Sequence, residues 1–155
     1  MRLIDASIII ACSKTGWLER LFEFADIAIT QGVHGELQRG KDDLPFRTQH
    51  IVTNAVDEME IANNGGEFRT LRAIQQHGRR ISFVDAQQVT FVRLHTEHTL
   101  YMRDRKAARA AATGGGDIRD HQTLADDMYE EGILSRSEAD RMRQDLCDYF
   151  ERSAP

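Results

Sequence analysis

Apolar residues recur at helical spacing along much of the chain. Ile51, Ala55 and Met59 follow one another every four residues, and they predict an amphipathic helix that residues 63–66 (NNGG) end. Residues 104–112 are nearly all strong helix formers, and the glycines that follow them stop the helix. Further helices are predicted at Phe68–Ile74 and around Leu124–Met128.

The C-terminal end carries a separate helix signal. Ser135 and Glu138 have the spacing of a capping box, in which each side chain satisfies a backbone N–H at the start of a helix. An apolar stripe follows at Ala139, Met142, Leu146 and Tyr149. We therefore expect a helical C-terminal segment over residues 120–152.

Short apolar runs lie between the helical segments and predict strands. They are found at Met1–Ile4, Asp26–Thr30, Ile81–Val84 and Thr99–Met102, and a fifth lies near Ile118. Strands that alternate with helices indicate an α/β fold, here a three-layer α/β/α sandwich with a central, mainly parallel sheet. The length of 155 residues fits a single domain over 1–155. Residues 40–45 (GKDDLP) are expected to form a loop.

Composition narrows the class of protein. No run approaches the roughly 20 apolar residues that span a bilayer, so no membrane contact is expected. The net charge of −5 argues against a protein that coats nucleic acid by bulk positive charge, although it allows an enzyme that contacts a few phosphates. Cys12 and Cys147 are far apart and have no metal-type spacing, which predicts a reduced, cytoplasmic protein.

Acidic residues follow three of the predicted strands. Asp5 (RLID), Asp85 (SFVD) and Asp104 (YMRD) each stand where a strand ends and a helix begins. Because the carboxyl ends of parallel strands lie at one edge of a sheet, the three carboxylates are expected there together. Glu36 lies in the second turn of the helix after the second strand and is expected to reach the same edge.

Two interpretations of these acids stay open. Aspartate is a favoured helix N-cap, so each of the three could serve only to start its helix. Carboxylates packed together repel each other unless a cation neutralises them, and Mg²⁺ or Mn²⁺ takes such oxygen ligands. Phosphodiester hydrolysis is the reaction that suits this kind of metal site best.

The order and spacing of these motifs resemble the PIN-domain family. LIDASIIIA resembles the family's opening, with Asp5 as first acid, and ITQGVHGELQRG resembles the segment that carries the second acid, Glu36. VDAQQVTFVRL matches the third acid at Asp85, and TLYMRDRKAARAA the fourth at Asp104. The tail LADDMYEEGILSRSEADRM is similar to the C-terminal part of a prokaryotic subgroup. The resemblance implies an Mg²⁺- or Mn²⁺-dependent endoribonuclease whose four acids hold metal, a small antitoxin as partner, and a homodimer.

Several other side chains are candidates for auxiliary roles. A basic group around Asp104 is expected to hold RNA phosphates, with a solvated helix face as the alternative. It consists of Arg103, Arg105, Lys106 and Arg109. Ser7 is predicted either to hydrogen-bond a water near Asp5 or to stabilise the helix start. Asp120 is predicted either as an auxiliary acid or as a helix cap.

Two rival functions remain. The first is a catalytically degenerate PIN-like module that binds RNA or a protein. It is favoured by Met102, where many PIN enzymes have Thr or Ser, and by Gly32 and Gly35 beside the second acid. The second is a different α/β enzyme that uses the same sheet edge, such as a phosphatase.

Overall fold

The computed structural model describes residues 2–39, 82–111 and 116–153. The helices predicted at Ile51–Met59 and Phe68–Ile74 and the loop predicted at residues 40–45 lie outside these ranges. The described elements are β1 (Arg2–Ile4), α1 (Ala6–Thr15), α2 (Leu18–Leu21), β2 (Ile27–Ala28), α3 (Gln31–Arg39), α4 (Phe83–Leu94), β3 (Thr99–Tyr101), α5 (Asp104–Ala111), β4 (Asp117–Arg119), α6 (His121–Glu130) and α7 (Arg136–Ser153).

In the described part of the chain, four parallel strands form the sheet, in the order β2-β1-β3-β4. In the register of the central pair, Leu3 lies opposite Leu100 and Ile4 lies opposite Tyr101. The α/β class and the parallel sheet predicted from the sequence are therefore confirmed. Four of the predicted strands are present, although the second is shorter than the predicted Asp26–Thr30.

Apolar side chains pack on both faces of the sheet. Leu3 and Leu100 point to a cluster that contains residues of α4 and α5. Ile4 and Tyr101, the next residue on each strand, point to the opposite cluster, to which α1, α2, α3, α6 and α7 contribute. This alternation is the period of two that a strand imposes on its side chains. Helices on both faces are compatible with a three-layer sandwich.

The strand predicted at Ile81–Val84 is wrong, because helix α4 begins at Phe83. Ser82 is the N-cap of this helix, and its hydroxyl accepts a hydrogen bond from the backbone N–H of Asp85 at 3.1 Å. A short apolar run does not by itself distinguish a buried strand from a helix, and here the Ser-x-x-Asp start signal decides for the helix. Asp85 consequently lies in the first turn of α4 rather than at the end of a strand.

The C-terminal segment follows the prediction. The backbone N–H of Ser135 donates to Glu138 at 3.0 Å, and that of Glu138 donates to the Ser135 hydroxyl at 3.2 Å, so the capping box is confirmed. Helix α6 ends before Gly132, which has the positive φ of 79° that glycine tolerates best. No helix within the three described ranges is long and apolar enough to cross a membrane.

Candidate active site

Asp5 lies at the centre of the candidate site, at the carboxyl end of β1. It is completely buried and caps α1, where its side chain accepts hydrogen bonds from both the backbone N–H and the hydroxyl of Ser7. Its other oxygen, Oδ1, accepts a hydrogen bond of 2.8 Å from Nε2 of Gln88 on α4. The cap interpretation is therefore correct for Asp5, yet Asp5 also holds contacts that a cap does not need.

Lys106 joins Asp5 to Asp85. Its Nζ atom lies 3.2 Å from Oδ2 of Asp5 and 3.3 Å from Oδ1 of Asp85. The Lys106 side chain is 23% exposed, while both acids are buried. The two carboxylates thus converge on one cation position, although they come from helices α1 and α4, which are far apart in the sequence.

Glu36 lies in the second turn of α3, as predicted, and it is close enough to Asp5 and Asp85 for their charges to shift its pKa. Burial first, and then the negative charge of Asp5, raise the pKa of Glu36 above its ordinary value. Asp85 raises it further, while the positive charges of Lys106 and Arg39 act against the shift. Glu36, Asp5 and Asp85 therefore form one electrostatically connected group, which we call the acidic cluster.

The same crowding of charges shifts the pKa values of Asp85 and of the neighbouring Lys106. Burial and the charge of Asp5 raise the pKa of Asp85, even though Lys106 and Ser82 donate hydrogen bonds to it. Burial by itself lowers the pKa of Lys106, but the charges of Asp5 and Asp85 and their hydrogen bonds outweigh burial and raise it. The lysine is held as a cation, and it neutralises only part of the negative charge around it.

A close approach of two helices brings Glu36 towards Asp85. A Cβ atom placed on Gly32 of α3 would lie 2.6 Å from the Gln87 side-chain oxygen and 3.2 Å from a methyl group of Val84, both on α4. Gly35 has more room, because among the described residues its added Cβ would meet only the Arg39 guanidinium, at 3.4 Å. Gly32, rather than Gly35, is therefore the glycine that permits this packing.

Asp104 occupies a different place from the other three predicted acids. It begins α5 as expected, but it is exposed and its side chain accepts a hydrogen bond from the backbone N–H of Arg105 at 2.8 Å. Lys106 is two residues further along α5, and residues at that spacing point to different sides of a helix. Because Lys106 points to the acidic cluster, Asp104 points away from it.

Asp104 lies in the wall of a neighbouring cavity of about 380 Å³. This cavity opens between the starts of α5 and α6 and the C-terminal part of α7. It is lined by Arg103, Asp104, Arg105, His121, Gln122, Cys147, Phe150 and Glu151. The structure thus brings Asp5, Glu36 and Asp85 together and places Asp104 in an adjoining pocket on the same edge of the sheet.

The predicted basic group divides between these two places. Arg103 and Arg105 line the cavity beside Asp104, and Arg105 is exposed. The Nε atom of Arg103 is buried and has no hydrogen-bond partner among the described residues. Lys106, which was expected to contact RNA phosphates, is instead bound to two carboxylates. Arg109 belongs to α5, and its side chain lies outside the described parts.

The auxiliary candidates have structural roles. Both donor groups of Ser7 are engaged with Asp5, which stabilises the start of α1. Asp120 caps α6 by accepting a hydrogen bond of 2.9 Å from the backbone N–H of Thr123. Met102 is fully buried in the cluster with α4 and α5, so no hydroxyl group stands two residues before Asp104.

Gln88 was not predicted from the sequence, and Lys106 was predicted in another role, as a contact for RNA phosphates. Gln88 lies three residues after Asp85, a spacing that places both on one face of a helix, so the correct assignment of α4 would have indicated it. The role of Lys106 has no comparable signal, because its partners come from α1 and α4. The sequence gives its charge but not the direction in which α5 presents it.

A cysteine and a histidine meet in the adjoining cavity. Cys147 Sγ lies 3.5 Å from Nε2 of His121, a pairing that in some enzymes produces a reactive thiolate. Here burial and the negative charges around it, that of Asp104 first among them, raise the pKa of the Cys147 thiol. The thiol therefore stays protonated, and the pair is not an activated nucleophile.

The acidic cluster matches a hard divalent cation in chemistry. The oxygens of Asp5 and Asp85 already converge on a cation, and carboxylate oxygens are the ligands that Mg²⁺ and Mn²⁺ prefer. As they stand, however, no three His, Cys, Asp or Glu side chains of residues 2–39, 82–111 and 116–153 form a group that could hold a metal. Lys106 occupies the position at which two of the acids meet.

Comparisons with known proteins add no family or relative. No protein-family model matches the chain, and no curated protein shows significant similarity to it. The fold, the acidic cluster and the order of the sequence motifs are therefore the features that indicate a function.

Proposed function

We propose that the chain is a PIN-like, metal-dependent endoribonuclease that hydrolyses RNA phosphodiester bonds. The observation that carries the proposal is the convergence of Asp5 and Asp85 on one cation position, with Glu36 close enough for their charges to raise its pKa. The carboxyl edge of a parallel sheet is also where open α/β folds bind ligands.

Asp5 and Asp85 would hold Mg²⁺ or Mn²⁺, with Glu36 beside them. When bound, such an ion supplies Lewis-acid polarisation of the phosphate and lowers the pKa of nearby water. Ser7 and Gln88 fix the two oxygens of Asp5, so the chain's own side chains orient this ligand. Arg103 and Arg105, in the adjoining cavity, are placed to bind phosphates of the RNA chain.

The test is cleavage of single-stranded RNA by the full chain with Mg²⁺ or Mn²⁺ and with EDTA. Asp5→Asn and Asp85→Asn should each lower the rate by at least about a hundredfold, the size of effect seen when one group that stabilises a transition state is removed. Asp120→Asn is the matched control, since Asp120 also caps a helix on the same edge, where it accepts a hydrogen bond from the backbone N–H of Thr123. It should cleave as fast as the parent.

The same assay separates the phosphatase alternative. Single-stranded DNA and simple phosphate esters are incubated beside the RNA under identical conditions. Hydrolysis of the esters without cleavage of RNA would assign the edge to a phosphatase. Cleavage of RNA that is insensitive to EDTA, or unchanged in Asp5→Asn, would rule out the site proposed here.

A specific observation favours a second candidate, a degenerate PIN-like module that binds RNA or a protein. Lys106 already neutralises part of the charge of Asp5 and Asp85, and an internal ion pair leaves less need for a metal. Direct titration with Mn²⁺ distinguishes the two. The nuclease requires a metal-binding site that Asp5→Asn removes, whereas the degenerate module predicts no specific binding in either protein.

A further inference from the structure

One ammonium group lies between the two buried aspartates. Lys106 Nζ is within 3.3 Å of an oxygen of Asp5 and of an oxygen of Asp85. A divalent ion bound by the same oxygens would need to come equally close to them. Two cations cannot share this position, because their mutual repulsion in a partly buried site is strong. Occupation by lysine and occupation by metal therefore exclude each other.

The lysine can leave without a change of fold. Its side chain is a flexible four-carbon stem, it is 23% exposed, and it starts from α5 at the edge of the sheet. Asp5 has no such freedom, since Ser7 and Gln88 hold both of its oxygens. Movement at this site is therefore expected in Lys106, while the oxygen ligand stays in place.

We infer that Lys106 is an internal counterion that must withdraw from Asp5 and Asp85 before Mg²⁺ or Mn²⁺ binds, and that it thereby sets the metal affinity of the site. The inference rests on the proposed metal-dependent function. A site that is competent in only a fraction of the molecules loses apparent affinity by that fraction. If lysine occupies the position in roughly 90% of the molecules, its removal should tighten metal binding about tenfold.

The first experiment measures Mn²⁺ binding by calorimetry in the parent, in Lys106→Met and in Arg105→Met. Methionine retains the unbranched stem and the helix propensity of lysine but has no charge. Arg105 is exposed and adjacent on α5, so Arg105→Met removes the same charge without touching the acidic cluster. We expect the affinity for Mn²⁺ to rise about tenfold or more in Lys106→Met, and by less than about threefold in Arg105→Met.

The second experiment uses the parent alone and does not depend on the folding of a variant. The chain has three lysines, Lys14, Lys41 and Lys106. Acylation of their amines is followed by mass spectrometry with and without saturating Mn²⁺, and exposed Lys14 serves as the internal reference. Released from its two carboxylates, Lys106 should react several-fold faster relative to Lys14 when Mn²⁺ is present.

The outcomes separate this inference from the proposed function. If the parent binds Mn²⁺ but Lys106→Met binds it no more tightly, and Lys106 labelling is unchanged by the ion, the counterion inference is overturned and the metal site stands. An equal gain in Arg105→Met would also overturn it, because general charge would then explain the effect. If neither the parent nor Lys106→Met binds Mn²⁺, the nuclease proposal fails and the inference fails with it.

Discussion

At the scale of single residues, the acidic cluster carries more negative charge than Lys106 neutralises. Three carboxylates lie around one ammonium group, and burial and mutual repulsion raise the pKa of both Glu36 and Asp85. For an acid, a folded-state pKa above the unfolded value means that ionisation costs stability. For each of these acids, the full stability is therefore present below the unfolded pKa, where the group is protonated in both states, and part of it is lost as the pH rises through the folded pKa.

The variant Glu36→Gln tests whether ionisation of Glu36 lowers the stability of the protein. In EDTA at pH 7, the variant should be more stable than the parent by up to about 1 kcal/mol, a modest gain because Glu36 is half-buried and solvent screens part of the repulsion. Below about pH 4 the glutamate is protonated in both states, and the difference should disappear. Urea unfolding at both pH values measures it. Glu130→Gln, at an exposed position on α6, is the control for the loss of one surface carboxylate. A destabilised Glu36→Gln at pH 7 would contradict the crowding.

The two arginines of the cavity lead to a second prediction at this scale. Replacing Arg103 and Arg105 with alanine should weaken RNA binding and reduce the slope of log K against log salt by about 0.7 for each phosphate that the variant no longer binds. Fluorescence anisotropy over a salt series measures the slope. Arg93→Ala is the control, because Arg93 is exposed in the last turn of α4, at the end away from Asp85. An unchanged slope in the double variant would place the RNA elsewhere.

At the scale of elements, the site depends on how closely α3 approaches α4. Glu36 reaches the cluster from α3, and Gly32 is the point at which this helix meets Val84 and Gln87 of α4. Glycine lowers the stability of a helix, so its presence at a crowded contact indicates that close packing compensates for that cost.

Gly32→Ala and Gly35→Ala form a matched pair. Gly35→Ala adds a methyl group where there is room, and it should stabilise the protein by about 0.5–1 kcal/mol through helix propensity. At Gly32 the same methyl group meets Val84 and Gln87, and overpacking of this kind typically costs about 1–3 kcal/mol. Gly32→Ala should therefore be less stable than Gly35→Ala and should bind Mn²⁺ more weakly. Urea unfolding and metal titration provide both readouts, and equal stability of the two variants would show that α3 has freedom to move.

At the scale of the whole molecule, the fold assembles the cluster from parts that are remote in the sequence. Asp5 follows β1, Glu36 follows β2, and Asp85 and Lys106 come from two helices on the other face of the sheet. A ligand that binds this arrangement binds the folded state alone, because the unfolded chain does not hold these residues together. Metal binding should therefore raise the free energy of unfolding of the whole protein.

Thermal unfolding with EDTA and with Mn²⁺ measures this coupling. At an Mn²⁺ concentration about 100 times the dissociation constant, the free energy of unfolding of the parent should rise by ~2.7 kcal/mol, with a matching rise in Tm. Asp5→Asn retains an oxygen for the α1 cap but removes a charged ligand, and should gain far less. Asp120→Asn should gain as much as the parent. A parent that is indifferent to Mn²⁺ would speak against the nuclease and for the degenerate module.

Much of the fold followed from local sequence signals. The β1 strand before Asp5, the start of α5 at Asp104 and the capping box of Ser135 and Glu138 were all predicted correctly. These features depend on side chains within about four residues of one another, and such contacts are encoded locally. The strand predicted at Ile81–Val84 failed because four apolar or small residues fit either a strand or a helix start.

The composition of the acidic cluster was decided by the tertiary structure. The sequence by itself predicted four acids at one sheet edge, Asp5, Glu36, Asp85 and Asp104, and the structure brings the first three of them close together. The sequence did not determine that Lys106 turns inward while Asp104 turns to the adjoining cavity. That choice depends on the rotation of α5 about its own axis, which Met102, Ala107 and Ala110 fix by packing against α4 and the sheet. Rotation of a helix is set by contacts between remote segments, and no local pattern records it.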